Sequence, residues 1–265
     1  MAQVENKVKV IFFDAGGVLF DTPIKGDDRI RYLLMERGYS KSKIDSAILK
    51  AKQIKLPFIT SWDEEEQYYK HYYGTIAKEL GEIDITHELL YFAHFAGHCE
   101  LFPEVKGVLA ELSKVYKLAV ISNAMPSMDW IFDRLGIRKY FSAIILSAFV
   151  KEEKPGEAIY NIALNQIHSK KEESIFIDDK LENIEGSERV GIRGLHLDRN
   201  RINLLELLRE QQLLPTPNSN LKSEISNSSY WINRGFSSIK LITHIQIKKR
   251  GVLRKWQIKN GKKSS

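Results

Sequence analysis

Five short apolar runs, spread along the chain and separated by other patterns, restrict the possible folds of this sequence more than any other feature. Each run is rich in β-branched or aromatic residues and is too short to be a free-standing helix. Strands that are buried on both faces of a parallel sheet have this nearly continuous apolar character. We therefore predict one parallel sheet from residues 8–13, 118–122, 143–147, 175–177 and 194–197.

Helical periodicity occupies the gaps between the later runs. Residues 156–167 have apolar side chains at helical spacing, and so does the segment that contains Val105, Val108, Leu109, Leu112 and Val115. Strands that alternate with helices indicate an α/β fold with a doubly wound, Rossmann-like parallel sheet. In such a sheet the active site lies beyond the carboxyl ends of the strands.

The segment between the first and second runs breaks this alternation. Residues 23–98 contain helical periodicity, for example over residues 62–80, and almost no strand pattern. We predict that residues 23–98 form an inserted helical cap domain, and that residues 1–22 and 99–214 form the α/β core. One predicted cap helix carries aromatic residues at a spacing that favours a packing face: Trp62, Tyr68, Tyr69, Tyr72 and Tyr73.

The C-terminal segment differs in composition from the rest of the chain. Residues 215–265 begin with Pro215, Pro217 and a run of Asn and Ser, which is typical of a linker. They contain eleven Lys or Arg and one acid, so they carry +10 and leave −4 for the rest of a chain whose total is +6. We predict a basic, poorly ordered tail. The alternative is a hairpin within residues 239–256 that meets RNA, an acidic membrane surface or a protein partner.

The composition also excludes several classes of protein. The single cysteine, Cys99, precludes an internal disulfide and is typical of a reducing compartment. No apolar run approaches the roughly 20 residues of a membrane-spanning helix, and residues 1–10 lack the apolar core of a secretory signal. The mildly acidic body gives no reason to expect nucleic acid there. These observations predict a cytoplasmic protein with any nucleic-acid contact confined to the tail.

Polar residues follow four of the five predicted strands, where the carboxyl ends of parallel strands meet. The first strand ends at Asp14 and a glycine turn that begins at Gly16. The other three motifs, in chain order, are Ser122–Asn123, Lys154–Pro155 and the paired acids Asp178–Asp179, with Asn183 shortly after them. A constellation of carboxylates, a lysine and a hydroxyl at one sheet edge indicates a catalytic site rather than four unrelated turns.

These motifs resemble those of the haloacid-dehalogenase superfamily, in its branch with a helical cap inserted after the first motif. The resemblance covers roughly residues 8–205 and includes flanking segments such as residues 101–105 and 154–160. It implies a hydrolase in which Asp14 is the covalent nucleophile and Lys154 the second catalytic residue. It further implies Mg²⁺ as cofactor, held by Asp14, the Gly16 carbonyl and Asp179 with Asp178 in support, and a substrate bound by Ser122, Asn123 and Lys154.

The implied chemistry is phosphoryl transfer to a carboxylate. A carboxylate that attacks phosphorus splits one difficult displacement into two easier ones, and cations must offset the repulsion between two anions. Mg²⁺ prefers oxygen ligands and is bound through one or two carboxylates together with phosphate. We therefore predict a Mg²⁺-dependent phosphatase that forms an aspartyl-phosphate at Asp14. Its partner is a small phosphorylated metabolite of the sugar phosphate kind.

Gly16 departs from the pattern of the phosphatases that this chain resembles. Those phosphatases usually have a second aspartate two residues after the nucleophile, and it acts as the proton donor. Glycine offers the metal a carbonyl but cannot transfer a proton, a function typically worth about 10²–10⁴-fold in rate. Three interpretations follow. The substrate has a good leaving group, as in sugar 1-phosphates or acyl phosphates; another group such as Asp21 or a cap residue supplies the proton; or the protein is catalytically weakened and binds a phosphorylated ligand or partner.

Other chemistry of the superfamily is less compatible with these residues. A dehalogenase also uses an aspartate nucleophile but usually lacks an acidic pair such as Asp178–Asp179. A phosphonate hydrolase needs a cap lysine for a Schiff base, and nothing singles out Lys50, Lys52 or Lys55 for that role.

Overall fold

Five parallel strands form the central sheet of the structure, a computed structural model that describes residues 8–214. In chain order, the strands of this range are β1 (Val10–Phe13), β2 (Phe20–Asp21), β3 (Glu100–Leu101), β4 (Lys117–Ser122), β5 (Phe141–Leu146), β6 (Ser174–Asp178) and β7 (Arg193–His196). The central sheet has the order β5-β4-β1-β6-β7, and all its neighbouring strands run parallel. The five predicted strands and the doubly wound α/β class are confirmed.

The first strand lies in the middle of the sheet. All four residues of β1 are buried, as expected for a strand that is covered on both faces. Ile11 pairs with Leu118 of β4 on one side and with Ile175 of β6 on the other. The chain builds β4 and β5 on one side of β1 and then crosses to β6 and β7. The carboxyl ends of β4, β1 and β6 are therefore adjacent, at the switch point where α/β sheets bind their ligands.

Four helices lie between β2 and β3 in sequence: α1 (Gly26–Glu36), α2 (Lys41–Ala51), α3 (Trp62–Leu80) and α4 (Ile85–Phe92). They enclose an apolar cluster of their own, in which Leu34, Ile44 and Ile76 are fully buried. Tyr69 and Tyr72 of α3 pack against this cluster, which agrees with the predicted packing face, whereas Trp62 is exposed. The cluster gives these helices an apolar interior that does not depend on the sheet.

The remaining helices cover the central sheet. They are α5 (Val105–Leu112), α6 (Met128–Arg134), α7 (Ser147–Val150), α8 (Glu157–Ile167), α9 (Leu181–Arg189) and α10 (Leu204–Glu210). Ile159, Tyr160 and Ala163 of α8 are fully buried in one cluster with Phe12 of β1 and Phe176 of β6. The two predicted core helices are present. No helix within residues 8–214 has the length and apolar character needed to cross a membrane.

A short antiparallel pair at the base of the inserted helices is one element that the sequence does not predict. Phe20 of β2 pairs with Leu101 of β3, and Asp21 pairs with Glu100. Two residues on each strand are too few to give a recognisable alternation of apolar and polar side chains. The predicted boundaries of core, cap and tail stay predictions, and the tail of residues 215–265, with its predicted hairpin, lies outside the described residues.

Candidate active site

Asp14 lies at the centre of the carboxyl edge of the sheet because it directly follows β1. Its backbone amide donates to the carbonyl of Ile177 in β6 at 2.8 Å, which extends the parallel ladder by one residue. Asp14 is 8% exposed, so only a small part of it reaches solvent. Ser122, the last residue of the adjacent β4, is also buried.

Lys154 supplies the positive charge of the site. Its ammonium donates to Asp14 Oδ1 at 2.7 Å and to Asp178 Oδ2 at 2.6 Å, and its side chain is 1% exposed. One cation therefore bridges two carboxylates that come from the ends of two neighbouring strands. Two carboxylates this close and this deeply buried require such a partner, since their charges would otherwise repel at short range with little water between them.

Asn123 fixes the backbone of Lys154. The Asn123 side chain accepts from the Lys154 amide through Oδ1 and donates to the Lys154 carbonyl through Nδ2, both at 2.8 Å. The sequence assigned Asn123 to substrate binding. Its side-chain contacts in the structure are with the backbone of Lys154, so its carboxamide orients the segment that carries this cation.

Asp178 is fully buried and bonded through both oxygens. Oδ2 accepts from Asn183 Nδ2 at 3.0 Å in addition to Lys154, and Oδ1 accepts from the Lys180 amide at 2.8 Å. Burial raises the pKa of Asp178, and the ammonium of Lys154 acts against this shift. With both oxygens occupied by protein donors, Asp178 is arranged to hold Lys154 and the turn that follows β6.

Asp179 has an oxygen that protein atoms leave unsatisfied. Its Oδ1 is buried and has no hydrogen-bond partner within residues 8–214. Burial, together with the nearby charges of Asp14 and Asp178, raises the pKa of Asp179 to about 6. These three carboxylates each offer an oxygen, and the three oxygens lie within 4.8 Å of one another. A buried, unpartnered oxygen beside two more carboxylates fits a hard divalent cation such as Mg²⁺.

The turn after Asp14 contains two glycines with different requirements. Gly17 has a φ of +81°, and a Cβ built on it would lie 2.3 Å from Asp179 Oδ2, so only glycine fits there. A Cβ built on Gly16 would meet no atom within 4 Å. The position two residues after Asp14 therefore has room for a side chain that this sequence does not provide.

Asp21, the residue considered as a replacement proton donor, is held by neighbours in the short segment between β2 and α1. Its Oδ2 forms an ion pair with Lys25 at 2.5 Å, and its Oδ1 accepts from the Thr22 amide at 2.7 Å. These contacts give Asp21 a local structural role at the entrance to the inserted helices.

A family model for haloacid dehalogenase-like hydrolases matches residues 11–196. This match spans the sheet, the inserted helices and every residue of the site described above. The chain belongs to this family.

Relatives of this haloacid dehalogenase-like hydrolase include phosphatases. Phosphoglycolate phosphatase from Photorhabdus laumondii is 25% identical over 195 residues, which are 72% of this chain and 80% of that protein. Human N-acylneuraminate-9-phosphatase is 24% identical over 207 residues, which are 71% of this chain and 81% of that protein. The solved structure of the HAD-hydrolase YfnB from Bacillus subtilis, bound to magnesium, has a TM-score of 0.55 and 14% identity, and the match covers 79% of this chain and 99% of that one.

One buried contact between the inserted helices and the core of this hydrolase was not predicted from the sequence. Glu65 of α3 is 3% exposed and accepts from the Ser127 amide at 2.7 Å and from Ser127 Oγ at 2.5 Å. His94 Nε2 lies 3.2 Å from the same carboxylate, and the Tyr69 hydroxyl donates to Met125 Sδ at 3.6 Å. Ser127 lies in the loop that follows β4. The sequence contains a signal for this contact, because Glu65 lies four residues before Tyr69 and therefore falls on the aromatic packing face of the helix.

Proposed function

We propose that this hydrolase is a Mg²⁺-dependent phosphatase of small phosphorylated metabolites, of the sugar phosphate kind, and that it acts through an aspartyl-phosphate at Asp14. The observation that carries the proposal is the arrangement around Asp14. The buried ammonium of Lys154 contacts its carboxylate at 2.7 Å, and the Asp179 carboxylate beside it has a buried oxygen that has no hydrogen-bond partner among residues 8–214. The two phosphatase relatives described above support the same reaction class.

The chain's own residues account for the first step. One oxygen of Asp14 forms a bond to phosphorus while the bond from phosphorus to the leaving oxygen breaks, and the leaving group departs as an anion that takes its proton from water. Lys154 keeps the Asp14 carboxylate oriented and offsets charge that develops on the transferred phosphoryl group. The Ser122 hydroxyl and the backbone amide of Asn123 bind phosphate oxygens.

The second step regenerates the enzyme. Water attacks phosphorus, the bond from phosphorus to Asp14 breaks, and inorganic phosphate leaves. Asp14 and Asp179 would hold Mg²⁺ directly together with the Gly16 carbonyl, and Asp178 would support them through Lys154 and the turn after β6. When bound, Mg²⁺ reduces the repulsion between the Asp14 carboxylate and the phosphate.

Gly16 makes leaving-group chemistry the main determinant of substrate choice. Since residue 16 cannot donate a proton, substrates whose leaving oxygen is already a weak base react best. Sugar 1-phosphates and acyl phosphates have this property, whereas esters of primary alcohols do not. The second candidate function, a catalytically weakened protein that binds a phosphorylated ligand or partner, draws on the same absence of a proton donor.

A panel of phosphate compounds tests the proposal. With Mg²⁺, we expect turnover of acetyl phosphate and glucose 1-phosphate to exceed that of glucose 6-phosphate, and Asp14→Asn to reduce each rate by at least about 10³-fold. Asp63→Asn is the matched control, since Asp63 is exposed at the start of α3. Turnover that survives Asp14→Asn would refute the assignment of the nucleophile. Absence of turnover with any compound, together with Mg²⁺-dependent phosphate binding, would favour the second candidate.

A further inference from the structure

Arg199, in the loop after β7, binds the turn that follows Asp14 although 182 residues separate it from that turn in sequence. Its Nε donates to the Gly17 carbonyl at 3.1 Å, and a terminal nitrogen donates to the carbonyl of Val18. The other terminal nitrogen forms an ion pair with Glu104, and the guanidinium lies 3.8 Å from the centre of the Phe102 ring. All three nitrogens of the guanidinium are therefore engaged.

Glu104 and Phe102, the two residues that hold the guanidinium of Arg199, are themselves held by backbone hydrogen bonds. Glu104 also accepts from the Leu204 amide at 3.2 Å, which ties it to the start of α10. The Phe102 amide donates to the Leu19 carbonyl at 3.2 Å, so the segment that returns from the inserted helices also bonds to the same turn. A planar, rigid guanidinium fork held by a carboxylate and an aromatic face is a group that fixes the direction of its two carbonyl acceptors.

The turn that Arg199 holds is in contact with the carboxylate cluster. The α-carbon of Gly17 abuts Asp179 so closely that a Cβ there would lie 2.3 Å from Oδ2. Asp179 is also held from the other side, because its carbonyl accepts from His196 Nε2 at 3.1 Å. A displacement of Gly17 would therefore move the Gly16 carbonyl and release the Asp179 carboxylate from its present position.

We propose that Arg199 is a positioning residue for the cation site: it holds the Gly16–Gly17 turn against Asp179 in the geometry that binds Mg²⁺. This inference rests on the proposed function, because it assumes that Asp14, Asp179 and the Gly16 carbonyl form a magnesium site. Loss of a group that orients metal ligands typically weakens metal affinity by about 10–100-fold. Arg199 acts through the turn and touches no reacting atom.

Titration of the full chain with Mg²⁺ alone, followed by calorimetry well below the unfolding temperature, tests this role without substrate. We expect Arg199→Met to raise the Mg²⁺ Kd by about 10–100-fold and Arg199→Lys to raise it by less, because lysine keeps the charge but lacks the fork. Exposed Arg201, two residues later, provides the control, and Arg201→Met should leave the Kd unchanged. Arg199→Lys decides the question if Arg199→Met does not fold.

The outcomes separate the two proposals. A lower unfolding temperature with a Mg²⁺ Kd equal to that of wild type would overturn the role of Arg199 alone, because the arginine would then be a purely structural tie. Wild-type protein that binds no Mg²⁺ would overturn the proposed function and the role of Arg199 with it. A raised Kd in Arg199→Met and an unchanged Kd in Arg201→Met would support both.

Discussion

Replacing Lys154 by Met removes the cation that the Asp14 and Asp178 carboxylates share. Asp178 is 0% exposed, so in the metal-free variant its negative charge lies near the Asp14 carboxylate without the ammonium that offsets it in the wild type. Breaking a buried ion pair from one side typically costs about 3–5 kcal/mol. For a domain of this size 1 kcal/mol shifts the unfolding temperature by about 2–4 °C, so we expect a loss of roughly 6–20 °C.

The measurement is thermal unfolding in EDTA at pH 7.5, compared with Lys151→Met, which removes an exposed lysine from the same segment. The loss should shrink toward pH 5, because burial raises the pKa of Asp178 and the variant raises it further, so a proton replaces the missing ammonium. Adding Asp178→Asn to Lys154→Met should restore part of the lost unfolding temperature. Equal unfolding temperatures for the Lys154 and Lys151 variants would refute the argument that the carboxylates depend on this cation.

Three more predictions follow from particular contacts. The pKa of Asp179 is raised from 3.8 to about 6, so the stability of the metal-free protein falls as the pH rises across this interval. The affinity for Mg²⁺ rises about tenfold per pH unit over the same range, because the metal replaces the proton, and it levels off above pH 7. Calorimetry from pH 5 to 7.5 measures this change in affinity. Gly16→Asp should fold and raise kcat on glucose 6-phosphate by about 10²-fold, whereas Gly17→Asp, which would clash with Asp179, should abolish Mg²⁺ binding. Glu65→Ala should lower the free energy of unfolding by about 1.5–3 kcal/mol in denaturant titration, and Glu66→Ala, on the exposed side of α3, should not.

The central sheet was predictable because a strand that is buried on both faces has a continuous apolar sequence. β1, β4 and β6 are almost wholly buried, so their apolar runs are continuous and their ends are marked by the first polar residue. The positions of Asp14, Ser122 and Asp178 could be predicted from these apolar runs, since each residue is at the end of a strand. The inserted helices were predictable for a related reason: they bury an apolar cluster of their own and so keep helical periodicity.

The hydrogen bonds of Asn123 and Arg199 to distant backbone groups could not be predicted from a sequence pattern. Nothing near Asn123 in sequence indicates that its side chain bonds to the backbone of Lys154, 31 residues away. Arg199 reads as an ordinary charged loop residue until the fold brings it to the Gly17 carbonyl. Polar residues that bond to distant backbone groups have no periodicity, and their partners are determined only by the packed structure.

The central claim is that Asp14 becomes covalently phosphorylated, and trapping this intermediate tests it most directly. Wild type and Asp14→Asn are mixed with ³²P-labelled acetyl phosphate and Mg²⁺, quenched in acid within one turnover, digested and mapped by mass spectrometry. We predict an acid-stable, hydroxylamine-labile label on the peptide that contains Asp14 in the wild type, and none in Asp14→Asn. Wild-type turnover without a label at Asp14, or an equal label in the variant, would contradict the account.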